Sequence, residues 1–219
     1  DHYHYNLEAT FPKKITHRRQ AWLWDASTGE RFKLKLTDRK LMIDLGPADS
    51  RLIIFDDQKT GIDWKPKPLS GAENISIDGT WQLTFDHTNG TSAKDQMNVL
   101  LDLKDTQYVY FSGTVIYKST FSLTNSEDKK YLNLGKVFGI SQVTINGKEV
   151  GTQWYGTRIF LVEGLLMNGI NTIEIKVITV MGNYMKTLED NAVAQYWTNE
   201  KRKDQPLQSM GLVGPVTIY

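Results

Sequence analysis

The sequence predicts an all-β protein built from antiparallel sandwiches, and three observations carry that prediction. Between Ser141 and Val177 apolar and polar residues alternate, with Val143 and Ile145 and then Ile173, Ile175 and Val177 on one face, and Thr172, Glu174 and Lys176 on the other. Successive side chains of a strand point to opposite faces, so this period-two pattern marks a sheet with one side in a core and one in solvent. Asn146-Gly147 and Asn168-Gly169 punctuate the runs, and Asn-Gly suits a type I′ hairpin turn, whose central residues both need φ > 0. Amphipathic helix patterns are scarce, which excludes a parallel α/β architecture.

Taken in order, residues 1–57 read as a small antiparallel β-unit. YHYNLEATF is the first expected strand, with Tyr3, Tyr5, Leu7 and Ala9 on one side. Asp25 to Gly29 then separates two runs, and Phe32, Leu34 and Leu36 alternate with Arg31, Lys33 and Lys35 as in a half-buried strand. LMIDLG and SRLIIFD follow, parted by the turn cluster Gly46-Pro47-Ala48-Asp49. Residues 58–76, with Gly61, Pro66, Pro68 and Gly71 and little periodicity, read as a linker in which Trp64 is a packing peg. The boundary falls near Ser70, dividing the chain into 1–70, a partial sandwich with its linker, and 71–219, a larger sandwich.

In that second part Trp81, Leu83 and Phe85 alternate with Gln82 and Thr84, and Asn89-Gly90 tips a polar loop. VLLDLKD and TQYVYFSGTVIYKSTFSL are the next expected strands, the latter with Val115, Tyr117, Ser119 and Phe121 on one face. Gly113 within it signals a bulge or a close backbone approach. Trp81, Phe111 and Phe121 are expected in the core. KEVGTQW and TRIFLVEG complete the central run. Residues 181–210 carry few strand signals, and so long a loop in a compact domain is functional or locally helical. Within it LEDNAVAQYW is the expected helix, and VTIY the closing strand.

Composition narrows the function classes. A chain of 219 residues is long enough for one large or two ordinary β-domains, each with a core. The formal net charge of +1 creates no field that would recruit nucleic acid or an acidic membrane. The densest basic cluster, Lys201-Arg202-Lys203, sits beside Glu200 and Asp204 and reads as a solvated loop. With no cysteine, disulfides and thiolate metal sites are excluded. No apolar run reaches the roughly 18 residues of a membrane helix. The opening DHYHYNLEATF lacks a signal-peptide layout and reads as mid-strand, so we expect the chain to begin inside a larger protein.

The segments WQLTF (81–85), YFSGTVIYKSTFSL (110–123), YLNLGKVFGISQVTINGKEVGTQW (131–154), NTIEIKV (171–177) and GLVGPVTIY (211–219) together resemble a known domain. It is the galactose-binding-like jelly-roll domain of glycoside hydrolase family 2, in the version found at the C-terminus of family 106 enzymes, the α-L-rhamnosidases. LWDASTGE and MIDLGPADSRLIIF resemble the later strands of the sandwich that precedes that jelly roll, so its earlier strands are expected to be missing here. The resemblance implies a non-catalytic, carbohydrate-associated part of a glycoside hydrolase, secreted or periplasmic, with the catalytic residues on a barrel absent from this chain. Its implied partners are carbohydrate or that absent catalytic domain. A self-standing β-sandwich enzyme acting on glycans, or a purely structural or protein-interaction module, are the alternatives.

The residues themselves give a matching picture. Glycoside hydrolysis needs two carboxyl groups facing one bond about 5–10 Å apart, and Asp56, Asp57, Asp102, Asp105, Glu163, Glu189 and Asp190 read instead as surface charges and turn caps. No catalytic residue is therefore assigned. His2 and His4 project from one side of a strand but lack an evident third ligand, so neither metal nor cofactor is expected. Sugars present an apolar C–H face and a ring of hydroxyls, which a flat aromatic and fork-shaped polar groups recognise together. Trp154, Tyr155 and Arg158 fall between two central strands, at a rim of the sandwich. Asn183, Tyr184, Gln195, Tyr196 and Trp197 lie in the long loop that could close over that rim. We expect Trp154, Tyr155, Arg158, Asn183 and Trp197 to bind carbohydrate, with packing against another domain as the competing role.

Overall fold

The computed structural model describes residues 3–26, 28–198 and 205–219. His2 and the Lys201–Lys203 cluster lie outside the described residues. The chain is all-β, and helix is confined among those residues to short segments of four to six residues and one 3-10 turn. It divides into two compact units, residues 1–68 with 155–157, and residues 69–154 with 158–219.

The first unit contains β1 (Tyr5–Thr10), α1 (Lys13–Thr16), β2 (Gln20–Trp24), β3 (Arg31–Leu34), β4 (Lys40–Leu45) and β5 (Leu52–Asp56). β2 is the middle strand of a three-stranded sheet ordered β3-β2-β5, and β1 pairs antiparallel with β4 from Tyr5↔Leu45 to Thr10↔Lys40. Trp22 anchors the unit: it is fully buried, and its indole N–H donates to Asp56 Oδ1 at 2.8 Å. The Arg31 guanidinium lies 4.7 Å from the Trp22 ring centroid and 3.1 Å from Asp56 Oδ2, so one cation serves both the ring face and the acid. Trp64 lines the apolar hollow beside Leu23, Leu34 and Ile53. The apolar side expected of the first strand is not buried. Tyr5 and Leu7 are exposed, since β1 has only β4 beside it among the described residues.

The second unit is a sandwich. Its strands are β6 (Ile75–Ser76), β7 (Trp81–His87), β8 (Ser92–Met97), β9 (Gly113–Leu123), β10 (Tyr131–Asn133), β11 (Lys136–Phe138), β12 (Ile140–Ile145), β13 (Lys148–Gln153), β14 (Ile159–Leu161), β15 (Gly169–Ile178), β16 (Gly211–Gly214) and β17 (Thr217–Ile218). The larger layer is a six-stranded antiparallel sheet ordered β13-β12-β15-β9-β7-β8. Facing it are a four-stranded sheet, β14-β10-β17-β6, and the pair β11-β16. Inward side chains of both layers form one core: Trp81, Leu83 and Phe85 from β7, Val115, Tyr117 and Phe121 from β9, and Ile173, Ile175 and Val177 from β15 meet Leu132, Phe160, Leu212 and Ile218. Full burial of one such side chain is worth about 1.5–3 kcal/mol, so this core dominates the unit's stability.

Local chemistry explains the joints. Asn146 and Gly147 both have positive φ (51° and 77°), as the β12–β13 hairpin requires. Gly113 has φ 151°, and a Cβ there would lie 2.1 Å from the Asp86 carbonyl oxygen, so the close approach signalled by the sequence is real. Three expected strands differ, the first being TQYVYFSGTVIYKSTFSL, which is extended only from Gly113, its opening residues forming a turn. VLLDLKD forms a loop and a 3-10 turn at Leu103–Asp105, because the Asp102 carboxylate caps it by accepting from Lys104 N at 3.0 Å and also accepts from Met210 N at 2.9 Å. TRIFLVEG keeps only β14, which pairs with β10 in the opposite layer rather than extending the central hairpins.

Candidate functional site

Trp154 directly follows the edge strand β13 and is 56% exposed. Thr152 and Trp154 are exposed while Gln153 between them is half-buried. The alternation of exposed and half-buried positions thus continues one residue past the end of β13. The rest of the expected rim is divided. Tyr155 is half-buried and belongs with Gly156 and Thr157 to the first unit, where Gly156 N donates to the Pro47 carbonyl at 2.7 Å. Arg158 is only 8% exposed, and its Nη2 donates to the Gly139 carbonyl at 3.2 Å. Desolvation lowers its pKa, the mark of a guanidinium drawn into the fold rather than offered to a ligand.

Asn183 is a correction to the expected sugar contacts. It is completely buried in α2 (Gly182–Met185), and its carboxamide is spent inside the protein. Nδ2 donates to the carbonyls of Val109 (3.1 Å) and Gln208 (2.9 Å), while Oδ1 accepts from Gln208 N at 2.8 Å. The side chain clasps the two ends of the long loop to the body of the unit, and no fork is left for hydroxyls. The expected helix is present as α3 (Ala192–Trp197), capped by Asn191, whose side chain accepts from Ala194 N at 3.0 Å. It carries Trp197 54% exposed and Tyr196 exposed beside it, the rings perpendicular with centroids 5.5 Å apart. Tyr184 instead packs edge-on to His87 at 4.6 Å, and Gln195 Nε2 bonds the Leu188 carbonyl at 2.8 Å.

Four of the seven acids weighed as catalysts occupy structural posts. Asp56 holds Trp22 and Arg31, Asp102 holds the 3-10 turn, Asp105 pairs with Lys104 at 2.5 Å, and Glu163 with Lys130 at 2.8 Å. Among the described residues no group of three or more His, Cys, Asp or Glu could hold a metal ion.

Sequence reasoning missed one feature, a hollow of about 450 Å³ on the outer face of the six-stranded sheet. Its floor is two transverse rows set by the strand registers. One runs Asp86, Thr114, Ile178, Ile140 across β7, β9, β15 and β12; the other runs Ile116, Lys176, Gln142, Thr152 across β9, β15, β12 and β13. The available signal was Ile178, an apolar residue off the alternation of β15, which is 48% exposed.

With this geometry in view, comparison with known proteins gives a consistent class. The fold is an all-β sandwich, and proteins similar to it are glycoside hydrolases. The chain matches no protein-family model. It is 28% identical, over 66% of its length, to a Formosa agariphila protein named "Putative beta-glucuronidase". A rhamnosidase structure from Novosphingobium sp. PP1Y superposes on 99% of the chain with a TM-score of 0.67 at 24% identity, a likeness of fold. A β-glucuronidase from Ruminococcus gnavus matches 52% of the chain with a TM-score of 0.42, too slight to carry weight. The chain spans 15% of the Formosa protein and 22% of the rhamnosidase chain.

Proposed function

We propose that this chain is the non-catalytic, carbohydrate-associated C-terminal part of a glycoside hydrolase resembling the family 106 α-L-rhamnosidases. Its second unit is then a jelly roll of the galactose-binding type, and the whole protein is secreted or periplasmic. The observation that carries this reading is that a sequence relative and a superposable structure both bear glycoside-hydrolase names, while the chain accounts for a minor share of each. Exposed Trp154 supplies the sugar-stacking surface, and Trp197 on α3 a further exposed aromatic. Among the described residues no helix is long and apolar enough to cross a membrane.

A single-sugar site of this open kind binds at about 0.1–1 mM, roughly 4–5.5 kcal/mol. Titrating the chain with rhamnose and galactose while following backbone amide resonances tests it. Shifts centred on residues 152–154 or on α3 are expected, and those at 152–154 vanish in Trp154→Ala. Incubation with aryl α-L-rhamnoside and other aryl glycosides is expected to release no chromophore above a buffer blank. Turnover abolished by one Asp or Glu substitution would overturn the non-catalytic role. Unshifted amides throughout would leave the unit as a seat for a catalytic domain of the same polypeptide.

A further inference from the structure

The geometry points to an extended glycan-chain site lying across the outer face of the six-stranded sheet, with Trp154 at one end and Asp86 at the other. This rests on the carbohydrate association proposed above but moves the recognised ligand from a single sugar to an oligosaccharide. It also moves the site from loops to a sheet face.

The hollow has the size of a small-molecule site, about 450 Å³ against a usual range of about 300–1,000 Å³. Its length comes from the topology. β7, β9, β15, β12 and β13 are consecutive neighbours, so each row crosses three inter-strand gaps and the two together span four, about 19 Å at about 4.8 Å each. That is a trough for several linked rings rather than a socket for one. The floor is also unusual for a solvent face. Ile116, Ile140 and Ile178 point outward, and Ile140 and Ile178 are a directly paired cross-strand couple. Exposed β-branched side chains side by side form an apolar strip that can take the C–H face of a pyranose.

Polar groups flank the strip at the spacing of the strands. Thr114 and Thr152 offer hydroxyls, Lys176 an ammonium and Gln142 its carboxamide oxygen, its Nε2 already donating to Glu149 Oε1 at 2.9 Å, while Asp86 accepts. Lys176 is the informative member. Its neighbour two residues earlier, Glu174, is committed to Lys118 at 2.8 Å, and among the described residues Lys176 has no ion-pair partner of its own. Asp86 retains acceptor capacity, because the contact to it from Ser92 Oγ, at 2.9 Å, engages one carboxylate oxygen. An unpaired donor and an underused acceptor set at separate points along an apolar strip match a ligand that alternates C–H faces with hydroxyls. A protein partner would favour a continuous apolar patch with its charges at the rim.

The experiment compares monosaccharides with neutral and uronic-acid oligosaccharides on the full chain. It follows the amides of Thr114, Gln142, Thr152 and Lys176 together with Trp154 fluorescence. Oligosaccharides of at least one of the two kinds are expected to shift all four amides and to bind about tenfold or more tightly than their monomers. The Lys176→Ala/Gln142→Ala double variant, altered only on the solvent face, is expected to keep its urea midpoint and lose that gain. Sugar shifts confined to Trp154 or α3, with the four amides still and no gain with length, would overturn this inference while leaving the carbohydrate reading intact. Silence toward every sugar would overturn both this site and the sugar-binding role of the unit. A double variant that binds oligosaccharides like the parent also overturns the site.

Discussion

Asn183 and Trp154 sit at opposite ends of what a polar or aromatic residue can do here. Asn183→Ala removes a buried carboxamide that satisfies two carbonyls and one N–H. Leaving those groups unpaired should cost about 2–3 kcal/mol, read as a lower urea midpoint. Trp154→Ala strips an exposed ring from the end of an edge strand and should change stability by about 0.5 kcal/mol or less. The same substitution should remove the sugar-induced shifts at residues 152–154. If Trp154→Ala instead unfolds the unit, the indole is a packing residue and the stacking role falls.

At the scale of elements, two polar ties hold strands and loops together, and each has a distinct signature. Asp95 on β8 accepts from the Tyr108 hydroxyl at 2.7 Å, from Gln96 N at 2.8 Å and from Gln107 Nε2 at 3.3 Å. The Tyr108 hydrogen bond leads these in holding the Asp95 carboxyl below its usual value. A carboxyl whose folded pKa is depressed contributes stability above its unfolded pKa of about 3.9, and that contribution is lost as pH falls through the lower folded value. The stability of the parent protein should therefore decline more steeply below about pH 4 than that of Asp95→Asn, in urea titrations at stepped pH. Parallel curves would show that the carboxylate is not a determinant. The second tie joins the layers: the buried Tyr117 hydroxyl on β9 accepts from Leu212 N of β16 at 3.2 Å, and burial pushes its pKa up. Tyr117→Phe leaves that N–H without its partner and should cost about 1–3 kcal/mol, with the Leu212 amide losing hydrogen-exchange protection first.

For the whole molecule, the contrast lies in core size. The first unit has Ala21, Trp22 and Leu34 as its buried apolar residues among those described, whereas the second has a continuous core drawn from both layers. A chain of this length with so few buried side chains gains too little to offset the entropy of ordering it. A fragment of residues 69–219 should unfold in one cooperative transition, and a fragment of residues 1–68 should be poorly folded or self-associated. Sharp, monomeric unfolding of the shorter fragment would show that Trp22 and its Asp56 and Arg31 partners suffice.

The alternation around Val143, Ile145, Ile173 and Ile175, together with the Asn-Gly turns, determined by itself that the second unit is made of antiparallel sheet. Those are local properties: a side-chain period and a φ requirement are written in adjacent residues. The helix within LEDNAVAQYW was legible for the same reason, although it begins only at Ala192, after the Asn191 cap. What only the tertiary structure decided is which polar residues face outward and which strands share a layer. Arg158 and Asn183 read as ligand forks in a line of letters, yet their partners, Gly139, Val109 and Gln208, are distant in sequence, and pairing with them buries both side chains. The hollow on the outer face of the six-stranded sheet is likewise assembled from five strands that meet only after the sheet has formed, since cross-strand register joins residues such as Asp86 and Ile140 that no local pattern connects.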